Sequence, residues 1–392
     1  MAIEIMTRNQ RNGCSRRTFL KTTGVLGTVG AMAGFAGCTG IQQSGGGNSG
    51  GNGTGSGNDN STKSGNSSVD TTNAEYTMRI ATAYSIDSVV PLAQEILAKN
   101  VEQETKGRIK TELYPAGELS VGSKLASKVQ GGSVEVGSLS LSNFSPYAPA
   151  VDTINLPYFA SEYQSFVNLV TSDIWEQEVY NNVRENGFEP LFVWLSAPRE
   201  IGIKTGEPTL TSGAVKGIKI RIPSSNLSSK AWNLAGANPT PVGWGETAQA
   251  LEEGVVKAVH VSLPPLVAYG FQDLLNHAIS IKMFMDSGIY AMSRAWFDKL
   301  PKDLQEMVKT ASEKTFNQHL DRLEPALNES ENVMKNSGVE LHDPSESQLE
   351  KWRNTVGYQL SAWDDIKKRL AGDITTFEKL EKATEQNHGY TV

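Results

Sequence analysis

Three predicted strands alternate with two predicted helices between residues 76 and 141, and this order constrains the fold more than any other feature of the chain. Apolar and polar residues alternate in the strands, at residues 76–82, 108–114 and 134–141, with the period of a half-buried strand. Between the strands, apolar residues recur at helical spacing. Connections of this kind are right-handed and bring successive strands into one sheet. The segment therefore predicts an α/β domain with a mainly parallel sheet.

A separate alternating stretch lies at residues 217–223, with the sequence GIKIRIP. Its isoleucines alternate with Lys219 and Arg221, and Pro223 ends the strand, so Arg221 lies next to the carboxyl end. Ligands of open α/β sheets bind beyond the carboxyl ends of the strands. A guanidinium there can hold a carboxylate or a phosphate through two parallel hydrogen bonds. The alternative, an arginine on the solvated face of a strand, fits the spacing alone better.

Length and composition set the size of the protein and exclude several classes. The 392 residues are 38% hydrophobic, which is enough for two domains of ordinary size. The net charge of −7 argues against nucleic acid as a partner. The sequence contains no phosphate-binding loop or HExxH motif, no dinucleotide fingerprint after a predicted strand and no nucleophile elbow between a predicted strand and helix, so nothing in it calls for an enzyme. The 5 histidines lack metal-ligand spacing, and we expect no metal site, no cofactor and no catalytic zinc.

The amino-terminal segment has the features of an export signal. Residues 15–21, SRRTFLK, form a twin-arginine motif, and residues 22–36 are apolar but too short and glycine-rich to span a membrane. Small residues then precede Cys38, as in a lipobox, which would make Cys38 the lipid-bearing first residue of the mature chain. A disulfide is the alternative, but the only other cysteine, Cys14, lies in the segment that would be removed. Residues 39–75, rich in Gly, Ser and Asn, predict a flexible tether.

Several motifs together resemble one protein family. The strand GIKIRIP is followed at residues 238–256 by NPTPVGWGETAQALEEGVV. Upstream, KGRIKTELYPAGEL at residues 106–119 and LPYF at residues 156–159 match the same family. In combination they resemble the solute-binding proteins of tripartite ATP-independent periplasmic (TRAP) transporters, the DctP-like family. The resemblance implies an α/β, two-domain, periplasmic-binding-protein-like fold, with a three-crossing hinge and a long helix that spans both domains.

The resemblance also implies where a ligand would bind. Arg221 would clamp a ligand carboxylate, Arg199 would supply a second contact at the first domain crossing, and Trp244 would cover the apolar part of the ligand. Where the family has an asparagine this chain has Val261, which predicts a more apolar wall, a monocarboxylate ligand and His260 as a compensating polar contact. Loops at the carboxyl ends of the first-domain strands complete the site. The predicted ligand-binding residues are Arg221, Arg199, Trp244, Asn143, Ser140, Tyr84, His260 and Val261.

Each of these residues also has a plainer interpretation. Arg199 could form an ion pair at a domain surface, and Trp244 could pack in a core. The three loop residues could cap or hydrogen-bond their own loops. His260 could be a satisfied structural residue, and so could His277, which matches a common family histidine at a domain crossing.

The resemblance divides the chain and predicts a function. The predicted parts are a twin-arginine signal peptide at 1–37, a lipid-anchored linker at 38–75, domain I at 76–197 plus 283–325, and domain II at 198–282 plus 326–392. We expect an extracytoplasmic monomer, anchored by lipid to the outer face of the cell membrane, that captures an organic acid and delivers it to TRAP permease subunits. A sensor ectodomain for an organic acid is the alternative, whereas an enzyme would need a polar pocket with perturbed carboxylates. The sequence does not separate dicarboxylates, 2-oxo acids, aromatic acids and sugar acids.

Overall fold

The structure is a computed structural model that describes residues 69–84, 89–390 and 392, without the side chains of residues 89–92. The predicted export signal, the predicted lipid-attachment residue Cys38 and most of the predicted tether lie outside the described residues. Within the described part of the chain, the strands are β1 (Tyr76–Thr82), β2 (Ile109–Tyr114), β3 (Val136–Ser140), β4 (Phe188–Pro198), β5 (Glu200–Ile203), β6 (Lys219–Ile222), β7 (Asn238–Pro241), β8 (Ala258–Val261), β9 (His277–Ile279), β10 (Met285–Ser293) and β11 (Glu340–His342).

The helices lie between and after these strands. In chain order they are α1 (Val89–Glu104), α2 (Gly122–Gln130), α3 (Leu141–Phe144), α4 (Tyr163–Val170), α5 (Asn181–Glu185), α6 (Asn226–Leu234), α7 (Thr247–Glu252), α8 (Leu263–Ala268), α9 (Arg294–Phe297), α10 (Lys302–Leu320), α11 (Leu323–Asn336), α12 (Glu346–Val356), α13 (Asp364–Ala371) and α14 (Ile374–Ala383). Among the helices that the structure describes, none has both the length and the apolar character needed to cross a membrane.

The first sheet has the strand order β2-β1-β3-β10-β4. The strands β1, β2 and β3 pair in parallel, as the alternation of strands and helices predicts. The strands β10 and β4 run antiparallel to their neighbours, so the complete sheet is mixed rather than mainly parallel. Gly288 on β10 permits this close pairing, because a Cβ atom there would lie 2.2 Å from the carbonyl oxygen of Leu139 and 2.3 Å from the ring of Trp194.

The second sheet has the strand order β11-β9-β5-β8-β6-β7. The predicted strand at residues 217–223 is β6, which pairs in parallel with β7 and β8. The strand β5 lies at the middle of the sheet and runs antiparallel to β8 and β9. All residues of β5 and β8 are buried, which is why both are apolar apart from Glu200 and His260.

The chain passes between the two sheets in three places. The strand β4 runs into β5 through Arg199 alone, β9 leads into β10, and α10 leads towards β11 through α11. The helix α10 packs on α1 and on β4 of the first sheet, whereas α11 packs on α8 and on β11 of the second sheet as well as on β4. The predicted single long helix is therefore two helices, interrupted at Asp321 and Arg322. Pro325 explains the break, because a proline lacks the N–H that would bond the carbonyl four residues earlier.

The last helices return to the side of the first sheet. The helix α12 packs against α6, next to the second sheet, but α13 packs against residues 149–155 and α14 packs against α4. Phe377 of α14 contacts Phe159 with ring centroids 5.1 Å apart. Residues 364–383 therefore pack on the segment between β3 and β4 of the first sheet, although they follow the whole second sheet in the sequence.

Candidate functional site

A cavity lies between the two sheets, at the carboxyl ends of strands from both. Its wall contains Ala83, Tyr84, Gly122, Ser138, Leu139, Ser140, Asn143, Arg199, Arg221, Pro223, Trp244, His260, Val261, Pro265 and Asp286. All eight residues that the sequence analysis names as ligand-binding are in this set. Their role in binding stays a prediction, but the fold brings them to one place from segments separated by up to 177 residues, from Tyr84 to Val261.

Arg221 is a buried cation at the carboxyl end of β6. It is 5% exposed, and its Nε donates a hydrogen bond to the carbonyl oxygen of Val242 at 3.0 Å. Its guanidinium lies over the ring of Trp244, 5.4 Å from the centroid. Among the residues that the structure describes, no carboxylate forms an ion pair with Arg221, so its charge is left for another partner. Burial lowers the pKa of Arg221 to about 10, and the nearby charge of Arg199 adds to this shift.

Arg199, by contrast, is paired with an acid. It lies at the passage from β4 to β5, is 7% exposed, and its Nη2 contacts Oδ1 of Asp286 at 3.1 Å. The second oxygen of Asp286 accepts a hydrogen bond of 2.9 Å from the hydroxyl of Ser262. The Nε of Arg199 has no protein acceptor among the described residues. Arg199 is thus the ion pair that the sequence analysis leaves open as an alternative, but it is buried in the cavity wall rather than on a surface.

Asp286 lies beside an irregularity in the pairing of β10 with β4. The pairing of β10 with β4 shifts register between Met285 and Ser287, the residues on either side of Asp286. The extra residue is on β4, between Leu195 and Pro198, and such bulges are frequent next to functional sites. The sequence analysis did not identify Asp286, although a charged residue inside an otherwise apolar strand was a signal that could have found it.

His260 faces the cavity as a neutral group. It is fully buried, and neither ring nitrogen has a hydrogen-bond partner among the described residues. Its ring packs edge-on against Trp232, with centroids 5.0 Å apart. Burial, together with the charges of Arg199 and Arg221, lowers the pKa of His260 well below its usual range. A neutral imidazole of this kind offers one donor and one acceptor to a bound molecule.

The remaining wall combines apolar side chains with a few polar ones. Trp244 stacks on Phe271 with centroids 5.4 Å apart and meets Tyr269 edge-on, which fixes its ring beside Arg221. Burial, with Asp286 nearby, raises the pKa of Tyr84, so this hydroxyl stays protonated at neutral pH. On the opposite side, Asn143 donates a hydrogen bond of 2.9 Å to the hydroxyl of Ser140, so both residues also satisfy each other within their own loop.

The charges and the size of the cavity limit what it can hold. Two guanidinium groups and one carboxylate line it, so the wall carries one net positive charge. The cavity volume is about 80 Å³. A single water-sized group needs about 10–15 Å³, so the space suits a molecule of roughly five to eight heavy atoms. The arrangement can neutralise one negative charge and cover a small apolar body.

His277 lies away from this cavity. It is the first residue of β9, near the edge of the second sheet, and its Nδ1 lies 3.1 Å from Nε2 of His342 in β11. Glu340 of β11 is close to both rings. The 5 histidines lack metal-ligand spacing along the sequence, but the fold brings two of them, His277 and His342, next to each other.

Two β-sheets covered by helices, with the buried guanidinium of Arg221 in the cavity between them and no described carboxylate paired with it, are the features of a binding protein for small anionic solutes. The model of the DctP family, bacterial extracellular solute-binding protein family 7, matches residues 80–365. The chain belongs to this family, which confirms the resemblance drawn from the sequence and the prediction of a solute-binding protein.

Known relatives share most of the chain at low identity. The sialic acid-binding periplasmic protein SiaP of Vibrio cholerae is 21% identical over 290 residues, which cover 74% of this chain and 89% of SiaP. A TRAP periplasmic solute-binding protein from Ralstonia eutropha H16, solved with (S)-2-acetolactate, has a TM-score of 0.72 at 20% identity and covers 79% of this chain and 99% of its own. One from Sulfurospirillum deleyianum, solved with succinate, has a TM-score of 0.69 at 22% identity and covers 80% and 99%. These likenesses confirm the predicted α/β fold of the periplasmic-binding-protein type.

Proposed function

We propose that the protein captures a small organic monocarboxylate outside the cytoplasm and delivers it to the membrane subunits of a TRAP transporter. The observation that carries this proposal is Arg221, a buried guanidinium that lines the cavity without a carboxylate partner among the described residues. Burying a charge without a partner is unfavourable, so such a group is retained where a ligand supplies the opposite charge. The named ligands of the three relatives above all carry a carboxylate, which supports the same class here.

The net charge of the wall favours one carboxylate over two. Asp286 already neutralises Arg199, so a monocarboxylate balances the remaining charge, whereas a dicarboxylate leaves one negative charge in excess. Val261 and Trp244 add apolar surface, and His260 offers a donor to the ligand. The volume of about 80 Å³ supports an acid of about three to five carbons. Small 2-hydroxy and 2-oxo acids meet all these conditions.

Delivery would depend on closure of two lobes around the ligand. We propose that each sheet, with the helices packed on it, forms one lobe, and that the three passages between the sheets form the hinge. The ligand can shift this equilibrium only if it binds the closed form more tightly than the open one. Arg199, which lies in the first passage and lines the cavity, would couple the ligand to the hinge.

Titration of the full chain with organic acids tests the proposed ligand class. Isothermal titration calorimetry would compare lactate and pyruvate with malonate and succinate. We expect the monocarboxylates to bind more tightly than dicarboxylates of similar length. Tighter binding of the dicarboxylates, or binding of neither group, would contradict the proposal.

The substitution Asp286→Asn is expected to reverse this preference in part. It raises the net charge of the cavity wall by one, so the ratio of dicarboxylate to monocarboxylate affinity should rise at least about tenfold, a change of about 1.4 kcal/mol. The matched control is Asp273→Asn, which removes an exposed carboxylate outside the cavity wall and should leave the ratio unchanged. An unchanged ratio in Asp286→Asn would show that the carboxylate does not set the preference.

We further propose that the protein is exported by the twin-arginine pathway and held at the outer face of the membrane through lipid on Cys38. The sequence SRRTFLK and the small residues before Cys38 support this anchor. In cell fractionation, Cys38→Ser should move the protein from the membrane fraction to the soluble fraction, while Cys14→Ser, the control, should not. Retention of Cys38→Ser in the membrane after salt washing would disprove the anchor.

A further inference from the structure

A second cluster of polar side chains lies at the edge of the second sheet, among residues that do not line the cavity. The strands β9 and β11 pair in parallel, with Glu340 opposite His277 and His342 opposite Ile279. The Nδ1 of His277 lies 3.1 Å from Nε2 of His342. One carboxylate oxygen of Glu340 lies 3.4 Å from Nδ1 of His277 and 3.7 Å from Nε2 of His342. Three donor atoms thus form a nearly equilateral triangle.

We propose that His277, His342 and Glu340 form a binding site for Zn²⁺ or a similar divalent transition-metal ion. Ligand atoms at about 2.0–2.1 Å from a tetrahedral zinc ion are about 3.3–3.4 Å apart. The three observed separations, 3.1, 3.4 and 3.7 Å, surround this value. Two imidazoles and one carboxylate suit zinc, copper and nickel, whereas Ca²⁺ and Mg²⁺ require mainly oxygen ligands.

The alternative is a neutral histidine pair that shares one proton. That hydrogen bond needs only the two rings, and it does not require a carboxylate oxygen close to both facing nitrogens. In the observed triangle, the two ring nitrogens that face each other also face one oxygen of Glu340. A single cation at the centre of the triangle would stabilise this arrangement. The side chains are 16%, 21% and 69% exposed for His277, His342 and Glu340, so an ion can reach them from solvent.

The position of the site indicates what a bound ion would do. The strand β11 has three residues, lies at one edge of the second sheet, and pairs only with β9 among the strands that the structure describes. It follows α11, the helix that joins the two sides of the molecule. An ion held by both strands would fasten this edge to the sheet. Three protein ligands leave a fourth position for water.

Metal titrations of the full chain test the site. Thiolates also bind zinc, so the titrations use a Cys14→Ser, Cys38→Ser background. We expect one Zn²⁺ per chain by calorimetry and a rise in melting temperature with Zn²⁺ but not with Mg²⁺. We also expect the strong visible absorption of tetrahedral Co²⁺ when Co²⁺ is added. A Co²⁺ spectrum no different from that of the free aqueous ion would overturn the proposal without the use of any variant.

Single substitutions then assign the ligands. The variants His277→Ala and His342→Ala should each weaken Zn²⁺ binding at least about tenfold, because even outer-shell partners of a metal contribute 10–100-fold. The substitution Glu340→Gln should also weaken it, and it alters the most exposed ligand. The matched control is His388→Ala, an exposed histidine far along the chain from both strands, which should bind Zn²⁺ unchanged. Wild-type zinc affinity in both histidine variants would refute the site, and retained affinity for the organic acid would confirm that they are folded.

Discussion

Replacing Arg221 with methionine is expected to lower the affinity for a carboxylate at least about 100-fold, since charge-assisted hydrogen bonds contribute about 1.5–3 kcal/mol each. The same substitution should not lower the stability of the unliganded protein. Both expectations follow from one feature, a guanidinium that is buried without an acid partner among the described residues. Calorimetry with the best ligand measures the first effect, and thermal unfolding without ligand measures the second.

In the unliganded protein, the buried charge of Arg221 is unfavourable for folding. Burial and the nearby charge of Arg199 lower the pKa of Arg221 from its usual value to about 10. The arginine is charged at neutral pH in both the folded and the unfolded chain, so the unfavourable burial of its charge is fully present there. A shift of this size corresponds to a free energy on the order of 3 kcal/mol. The lost contacts with Val242 and Trp244 offset part of the gain from methionine.

Two further variants separate charge from geometry. The variant Arg221→Lys keeps the charge but cannot form the two parallel hydrogen bonds, so it should also bind weakly. The variant Lys219→Met removes an exposed cation from the same strand, two residues earlier, and should bind normally. Normal binding by Arg221→Met would remove the basis of the proposed function, whereas a large loss of stability would show that the arginine has a structural role.

Replacing Arg199 with methionine is expected to act mainly on stability. This substitution leaves the carboxylate of Asp286 buried without its cation, and breaking a buried pair in this way costs about 3–5 kcal/mol. Ser262 still donates a hydrogen bond to Asp286, but a neutral hydroxyl does not replace a positive charge. Urea denaturation of the unliganded protein would measure the loss as a lower free energy of unfolding.

The double variant Arg199→Met, Asp286→Leu provides the internal control. It removes both charges, so it should recover much of the stability that the single variant loses. The variant Arg353→Met, which breaks an ion pair with the exposed Glu346 on α12, should change stability by no more than about 1 kcal/mol. If Arg199→Met were as stable as the wild type, the loss of Arg199 would not leave a buried, unpaired charge on Asp286, and the prediction would be wrong.

Local sequence patterns determined where several of the strands begin and end. The alternation at residues 76–82 gave β1 with the same bounds as in the structure, because a strand with one buried face needs an apolar residue at every second position. The same rule gave β6 and placed Arg221 at its end. The prediction of a parallel sheet was right for β1, β2 and β3, where local crossovers decide the direction of the strands. It did not extend to β10, which joins the same sheet in the antiparallel direction after the chain has passed through the second sheet.

Contacts between distant segments decided the rest. Asp286 neutralises Arg199 across 87 positions, beside an irregularity in strand pairing that no local pattern records. His277 and His342 meet across 65 positions because β9 and β11 pair in one particular register, so no ligand spacing in the sequence could reveal them. The sequence by itself determined many of the strands and helices, and through family motifs it determined which side chains are candidates for binding. Only the tertiary structure decided which charges are neutralised and which are left for a ligand, because that depends on distances between atoms that chain separation does not encode.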